Sequence, residues 1–173
     1  RDKIINDKKY LLHVGHLKSS RGLEIILDIL NNTQWGAIVI ISKRYSIDNN
    51  IYNNLIKSGA IVHVGYLENL GSLYSFSDCY LFPVRDPYGS IDMPLTVLES
   101  IACGTPVLST YYKALPGFLN DKDGVFYYKN KDDLFMKLKE VDKYKLKDFN
   151  SRFTWRNIVK LIEKQYDKGI DNI

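Results

Sequence analysis

Residues 90–107 read SIDMPLTVLESIACGTPV. Pro94 stands before the apolar run, and Gly104-Thr105-Pro106 closes it. Proline suits a first helical position. The pattern therefore predicts a helix over about 94–103 that feeds a strand at 107–109. Such a segment would be largely buried, yet one carboxylate, Glu99, stands one turn from the helix start. Either Glu99 faces solvent or it serves a ligand, and the surrounding chain decides between the two.

On both sides of that segment, short apolar runs alternate with stretches of helical period. Strands are predicted at 10–14 (YLLHV), 37–41 (AIVII), 60–64 (AIVHV), 79–82 (CYLF) and 124–128 (GVFYY). Helices are predicted at 21–30, at 47–59 with Asp48 as N-cap and Gly59 as stop, at 68–77 and at 131–141. A last one is predicted at 154–168, capped by Thr154. Strands that are apolar throughout argue burial on both faces, and strands separated by helices pair in parallel. The expected fold is α/β, an open doubly wound parallel sheet of about six strands. It forms one domain over 1–173, with 145–173 as a C-terminal helical extension. Ligands of such sheets bind beyond the carboxyl ends of the strands. The loops that matter are then 15–20, 42–47, 65–68, 83–93 and 110–116.

Composition narrows the function classes. The chain has 173 residues, 45% hydrophobic and 25% charged, with a net charge of +4. These values suit a globular domain with a proper core. No apolar run nears the ~20 residues of a membrane span, and no signal-peptide pattern opens the chain. Cys79 and Cys103 lie far apart in apolar contexts and read as reduced core residues. No Cys/His cluster has metal spacing, so no metal is expected. Lys and Arg are scattered, which does not call for nucleic acid, whereas a small anion suits the mild positive balance. His13 reads as a satisfied core histidine. The chain starts at Arg1 and is expected to be part of a longer protein.

The loops carry the chemistry. VGHLKSSRG (14–22) places a glycine after a strand, where backbone can approach a ligand, and Arg21 at the head of the next helix. The dinucleotide pattern G-x-G-x-x-G and the phosphate-loop pattern G-x-x-x-x-G-K-[ST] are absent. PVRDPYGSIDMP (83–94) leads into the Glu99 helix. Its free N–H groups at Leu95 and Thr96, with the Thr96 hydroxyl, suit a phosphate. Glu99, one turn on, would repel a second phosphate and suits a hydroxyl pair. The arrangement points to a nucleotide, with diphosphate on the helix start and ribose on the glutamate. Tyr111 and Tyr112 stand at a strand end, where they either line the cleft or pack as exposed aromatics. Lys113 reads as a solvated lysine.

Five segments, VGHLKSSRGLEIILDIL, VHVGYLENLGSLYSFSDCYLFP, PLTVLESIACGTPVLST, DGVFYYKNKDDLFMKL and FTWRNIVKLIEKQY, resemble in order and spacing the C-terminal domain of group 1 (family 4) glycosyltransferases of the GT-B fold. The resemblance implies nucleotide-sugar binding and metal-independent sugar transfer, usually with retention at the anomeric carbon. It matches Glu99 to the family's ribose-binding glutamate and Leu95 and Thr96 to the diphosphate cradle. Gly15 matches the loop glycine near the donor, and Arg21 the phosphate-binding lysine. His63 and Tyr66 flank the loop where the family places the base. It further implies an N-terminal domain of the same chain, absent here, which carries the acceptor site. The final helix, with Trp155, Ile158 and Ile162, would pack toward that domain.

Two positions depart from the family pattern. His16 stands where the family has arginine, and Ile91 where it has a glutamate beside the transferred sugar. Asp92 and Asp86 are the nearby carboxylates that could take over the sugar contact. The expected partner is a nucleotide-sugar donor, in the cytoplasm or at the cytoplasmic membrane face, with any peripheral membrane association made through the absent domain. Two alternatives follow from the departures: a degenerate, non-catalytic nucleotide-sugar-binding domain, and a GT-B nucleotide-sugar epimerase.

Overall fold

The computed structural model describes residues 8–144 and, beyond them, residues 156, 157, 159, 160 and 163. Its six short apolar runs are strands: β1 Tyr10–Gly15, β2 Gly36–Ile41, β3 Ile61–Val64, β4 Cys79–Phe82, β5 Val107–Thr110 and β6 Val125–Tyr128. All neighbours pair in parallel, in the order β3-β2-β1-β4-β5-β6. Between them run α1 Glu24–Asn32, α2 Asn49–Lys57, α3 Leu70–Phe76, α4 Leu95–Ala102, α5 Leu115–Phe118 and α6 Lys131–Lys143.

Successive strand residues point to opposite faces, and two cores result. Leu11, Val39, Ile41, Leu81, Leu108 and Phe126 meet Ile26 and Ile29 of α1, Leu55 of α2 and Leu134 and Leu138 of α6. Leu12, Ile40, Tyr80, Phe82 and Val107 meet Tyr74 of α3, Val97 and Ile101 of α4 and Leu115 of α5. Burying each such side chain stabilises the fold by about 1.5–3 kcal/mol. The doubly wound expectation therefore holds, helices covering both faces of the sheet.

Four local expectations need correction. The helix read at 21–30 starts later: residues Ser19–Arg21 form a 3-10 turn, and α1 begins at Glu24. Gly22 lies between them with φ +69°, a left-handed conformation that no helix can pass through. Pro94 is the cap of α4 rather than its first residue, with an extended ψ of 121°. β3, an edge strand, is not buried on both faces: Ile61 is 44% exposed, whereas the opposite edge strand β6, against which α6 packs, is largely buried. A short helix, α5, and a 3-10 turn at Asp121–Asp123 stand where only loop was expected. At α2 the expectation holds: Asp48 accepts from the N–H groups of Asn50 and Ile51 at 3.0 and 3.1 Å. Behind that helix Gly59 takes φ +81°. The final helix expected over 154–168, with Trp155, Ile158 and Ile162, lies outside the described residues apart from the five positions named above.

Candidate functional site

The strand order reverses between β1 and β4, so the loops leaving their carboxyl ends part and open a crevice. The loop after β1 brings Gly15, His16 and Arg21. The loop after β4 leads into α4 and brings Leu95, Thr96 and Glu99. The fold thus gathers two segments about 80 residues apart in sequence at one edge of the sheet.

The first loop is tightly held. The Ser42 N–H donates to the Gly15 carbonyl and the Asp48 N–H to the Leu17 carbonyl, both at 3.0 Å. The left-handed Gly22 lies so close to β4 that a Cβ there would sit 2.7 Å from the Pro83 carbonyl oxygen. Arg21 is partly buried, and its Nη2 donates to His16 Nδ1 at 3.2 Å. The His16 proton is therefore on Nε2. Burial first, and then the charges of Arg21, Lys18 and Arg44, hold the His16 pKa below its ordinary 6.5. His16 is accordingly neutral at pH 7 in the free protein. Its ring rests on Tyr45, with 3.9 Å between centroids.

Across the crevice Leu95 is 61% exposed at the first turn of α4. Thr96 lies against the hydroxyl of Tyr80, which also donates to the Val14 carbonyl at 3.4 Å and feels the charges of Arg21 and Glu99. Tyr80 is thus the buried node that links the Arg21 loop to α4. Glu99 is exposed, and one of its carboxylate oxygens, Oε2, accepts from the Tyr74 hydroxyl at 3.1 Å.

Beside this edge, at the carboxyl ends of β1, β2 and β3, opens a cavity of about 460 Å³. Val14, Ile40, Leu67 and Leu70 supply apolar walls; Ser42, Lys43, Arg44 and Tyr66 supply the rim. Tyr66 is 85% exposed there. A larger hollow of about 570 Å³ lies at the opposite, amino end of the sheet around Trp35 and Leu138. It is remote from every residue just described, and the crevice side is the site to which the switch in strand order points. No group of His, Cys, Asp and Glu that could hold a metal exists among the described residues. No described helix is long and apolar enough to cross a membrane.

The family model for glycosyl transferases of group 1 matches residues 8–141. The chain belongs to the group 1 glycosyltransferases. No curated protein sequence matches it. The fold resembles that of sucrose-phosphate synthase from Thermosynechococcus elongatus, with TM-score 0.67 and 17% identity over 96% of this chain and 47% of that one. It resembles AviGT4, a glycosyltransferase involved in avilamycin A biosynthesis, with TM-score 0.66 and 15% identity over 99% and 55%. It also resembles the C-terminal domain of a group 1 glycosyltransferase from Francisella tularensis, with TM-score 0.59 and 20% identity over 81% and 78%. At these identities the likeness is one of fold. The chain spans about half the length of the first two structures.

The sequence-marked residues fall into two groups. Gly15, His16, Arg21, Thr96 and Glu99 meet around the crevice, and Tyr66 stands at the neighbouring cavity. The carboxylates of the 83–93 loop are occupied otherwise. Asp86 accepts from the Tyr88 N–H at 2.9 Å, and Asp92 pairs with Lys113 at 2.8 Å. Ile91, between them, is 59% exposed. Lys113 is thus not merely solvated: it adopts φ +40°, in left-handed space, and reaches both Asp92 and the Ser90 carbonyl. Tyr112 is buried rather than exposed. Its hydroxyl accepts from the Ser90 N–H at 2.9 Å and lies 2.7 Å from the Ser90 carbonyl. Tyr111 is exposed and packs on Tyr127.

His13 is satisfied on one side only. Its Nδ1 donates to the Leu81 carbonyl at 3.0 Å, while Nε2, beside Gly15, has no partner. Burial is the main cause that lowers its pKa from 6.5 to about 4. Tyr74 and Tyr80 escaped the sequence reading because aromatic residues at those positions read as core, which their rings are.

Proposed function

We propose that this chain is the donor-binding half of a group 1 glycosyltransferase that moves a sugar from a nucleoside diphosphate sugar to an acceptor, with retention and without a metal. The observation that carries the reading is the meeting of Arg21, Thr96 and Glu99 across the switch-point crevice, beside a cavity with apolar walls. The N-terminus of α4, with unpaired N–H groups at Leu95 and Thr96, favours a diphosphate. Arg21 adds a charge-assisted donor from the opposite wall. A phosphate placed there would also draw a proton onto His16 and restore a second cation. Glu99 accepts from the ribose hydroxyls, and the cavity bordered by Tyr66 takes the base. The acceptor and the other wall of the active site belong to a second domain of the longer protein. On this reading the isolated chain binds nucleotide and turns nothing over.

Calorimetric titration with UDP, GDP and ADP tests the proposal. One of them should bind, and Glu99→Ala should weaken it about 30-fold, as expected for loss of a charge-assisted contact of ~2 kcal/mol. No heat with any nucleotide, or no effect of Glu99→Ala, refutes the donor site. A second reading, a non-catalytic nucleotide-sugar binder, is favoured by the exposed Ile91 and by the engagement of Asp92 with Lys113. Donor-sugar turnover by the full-length protein separates the two.

A further inference from the structure

Tyr74 is 1% exposed, yet its hydroxyl is spent on an exposed carboxylate. The bond joins α3 to α4, and the rest of Tyr74 is fixed from several sides. Its ring packs edge-on against Tyr80, with 5.5 Å between centroids and 64° between planes. Its own carbonyl accepts from the buried Thr105 hydroxyl. The next residue, Ser75, donates to the Cys103 carbonyl at 3.3 Å. These bonds pin α3 to the turn between α4 and β5, so the phenol keeps its place beneath Glu99. Burial first, and then the neighbouring Tyr80 and Glu99, push its pKa far above the usual tyrosine value, so it remains a donor at any physiological pH.

A glutamate on an exposed helix surface samples several rotamers, and ordering it costs side-chain entropy. A donor beneath Oε2 removes that freedom before a ligand arrives. Oε1 carries no bond from the described residues and keeps its lone pairs for one. We propose that Tyr74 is a positioning residue that holds the Glu99 carboxylate ready for a vicinal diol, so that the chain selects ribonucleotides over 2′-deoxyribonucleotides through this pair. The inference rests on the ribose role of Glu99 proposed above.

The experiment compares UDP, GDP and ADP with their 2′-deoxy counterparts by calorimetry, for the unaltered chain, Tyr74→Phe and Glu99→Ala. Tyr74→Phe keeps the ring against Tyr80 and removes only the hydroxyl. The unaltered chain should prefer the ribonucleotide, and Tyr74→Phe should shrink that preference roughly three- to tenfold. The loss should fall on the ribonucleotide affinity; general disturbance of the fold would weaken both ligands alike. An undiminished preference in Tyr74→Phe overturns the positioning role and leaves the ribose reading standing. No binding, or no preference in the unaltered chain, overturns both. A second measurement leaves the core untouched: the ¹³C-labelled ring carbon bearing the Tyr74 hydroxyl should shift on adding a ribonucleotide and much less with its 2′-deoxy form. Equal or absent shifts overturn the proposal even if Tyr74→Phe fails to fold.

Discussion

Replacing Gly22 by alanine tests how the Arg21 loop is held. Gly22 has φ +69°, and a Cβ built on it would stand 2.7 Å from the Pro83 carbonyl oxygen. Two penalties then add. A non-glycine residue in left-handed space costs about 1–2 kcal/mol. Forcing an extra carbon against fixed backbone costs about 1–3 kcal/mol more, because the contact must be relieved by moving the loop or β4. Gly22→Ala should therefore destabilise the chain by about 2–5 kcal/mol, a large share of the total for a domain of this size. Gly59 provides the control: its φ is +81°, but nothing lies within 4 Å of its Cβ position. Gly59→Ala should cost only the conformational part, about 1–2 kcal/mol. Urea unfolding followed by circular dichroism measures both variants at equal slope. Equal losses would refute the claim that the loop is clamped against Pro83. A larger loss for Gly22→Ala should come with weaker nucleotide binding, since Arg21 directly precedes the glycine.

Two further outcomes follow from the structure. The unfolded chain protonates His13 as pH falls below 6.5, while the folded one resists until about 4, so this contribution is complete above 6.5 and is lost between 6.5 and 4. The loss approaches about 3 kcal/mol. His13→Asn keeps a donor for the Leu81 carbonyl and should flatten denaturation midpoints across that window, and an unchanged pH profile would contradict it. Asp48→Ala removes the acceptor for two N–H groups of α2 and should cost about 1 kcal/mol in the same urea experiment.

What the sequence reveals and conceals follows from which signals are local. The Glu99 helix was legible because its apolar spacing, its leading proline and its closing Gly-Thr-Pro all lie within one stretch. The six strands were legible for the same reason. The break at Gly22 was not: the apolar positions 23, 26, 27 and 30 keep helical spacing, and periodicity carries no sign of φ. The exposure of β3 depends on what packs over that edge of the sheet, since the other edge strand, β6, is covered by α6 and buried, and AIVHV itself carries no sign of it. Lys113 is harder still, since a lysine in left-handed space has no sequence signal. Tyr74 could be placed in the core from its setting, but the destination of its hydroxyl depends on which helix packs beside it.

That difference has a consequence for how the site divides its labour. The groups proposed for the nucleotide stand on, or are clamped to, regular structure: Glu99 and Thr96 on α4, Arg21 on a loop closed against Pro83. The groups nearest the proposed sugar end belong to the 83–93 loop, which is held by side chains instead. Tyr112 grips Ser90, and Lys113 grips Asp92. Asp86 closes a turn onto Tyr88. Both loop carboxylates are held through one oxygen, Asp86 by the Tyr88 N–H and Asp92 by Lys113. The loop can therefore offer a sugar a second carboxylate oxygen without breaking either bond, or both oxygens of one carboxylate only by breaking its bond. The Asp92 pair is the easier to break, since Asp92 is 78% exposed and such surface pairs are weak. Full engagement of both Asp92 oxygens by a sugar would require Asp92 to leave Lys113, whereas on the ribose side Tyr74 already holds one oxygen of Glu99 and leaves the other for the ligand.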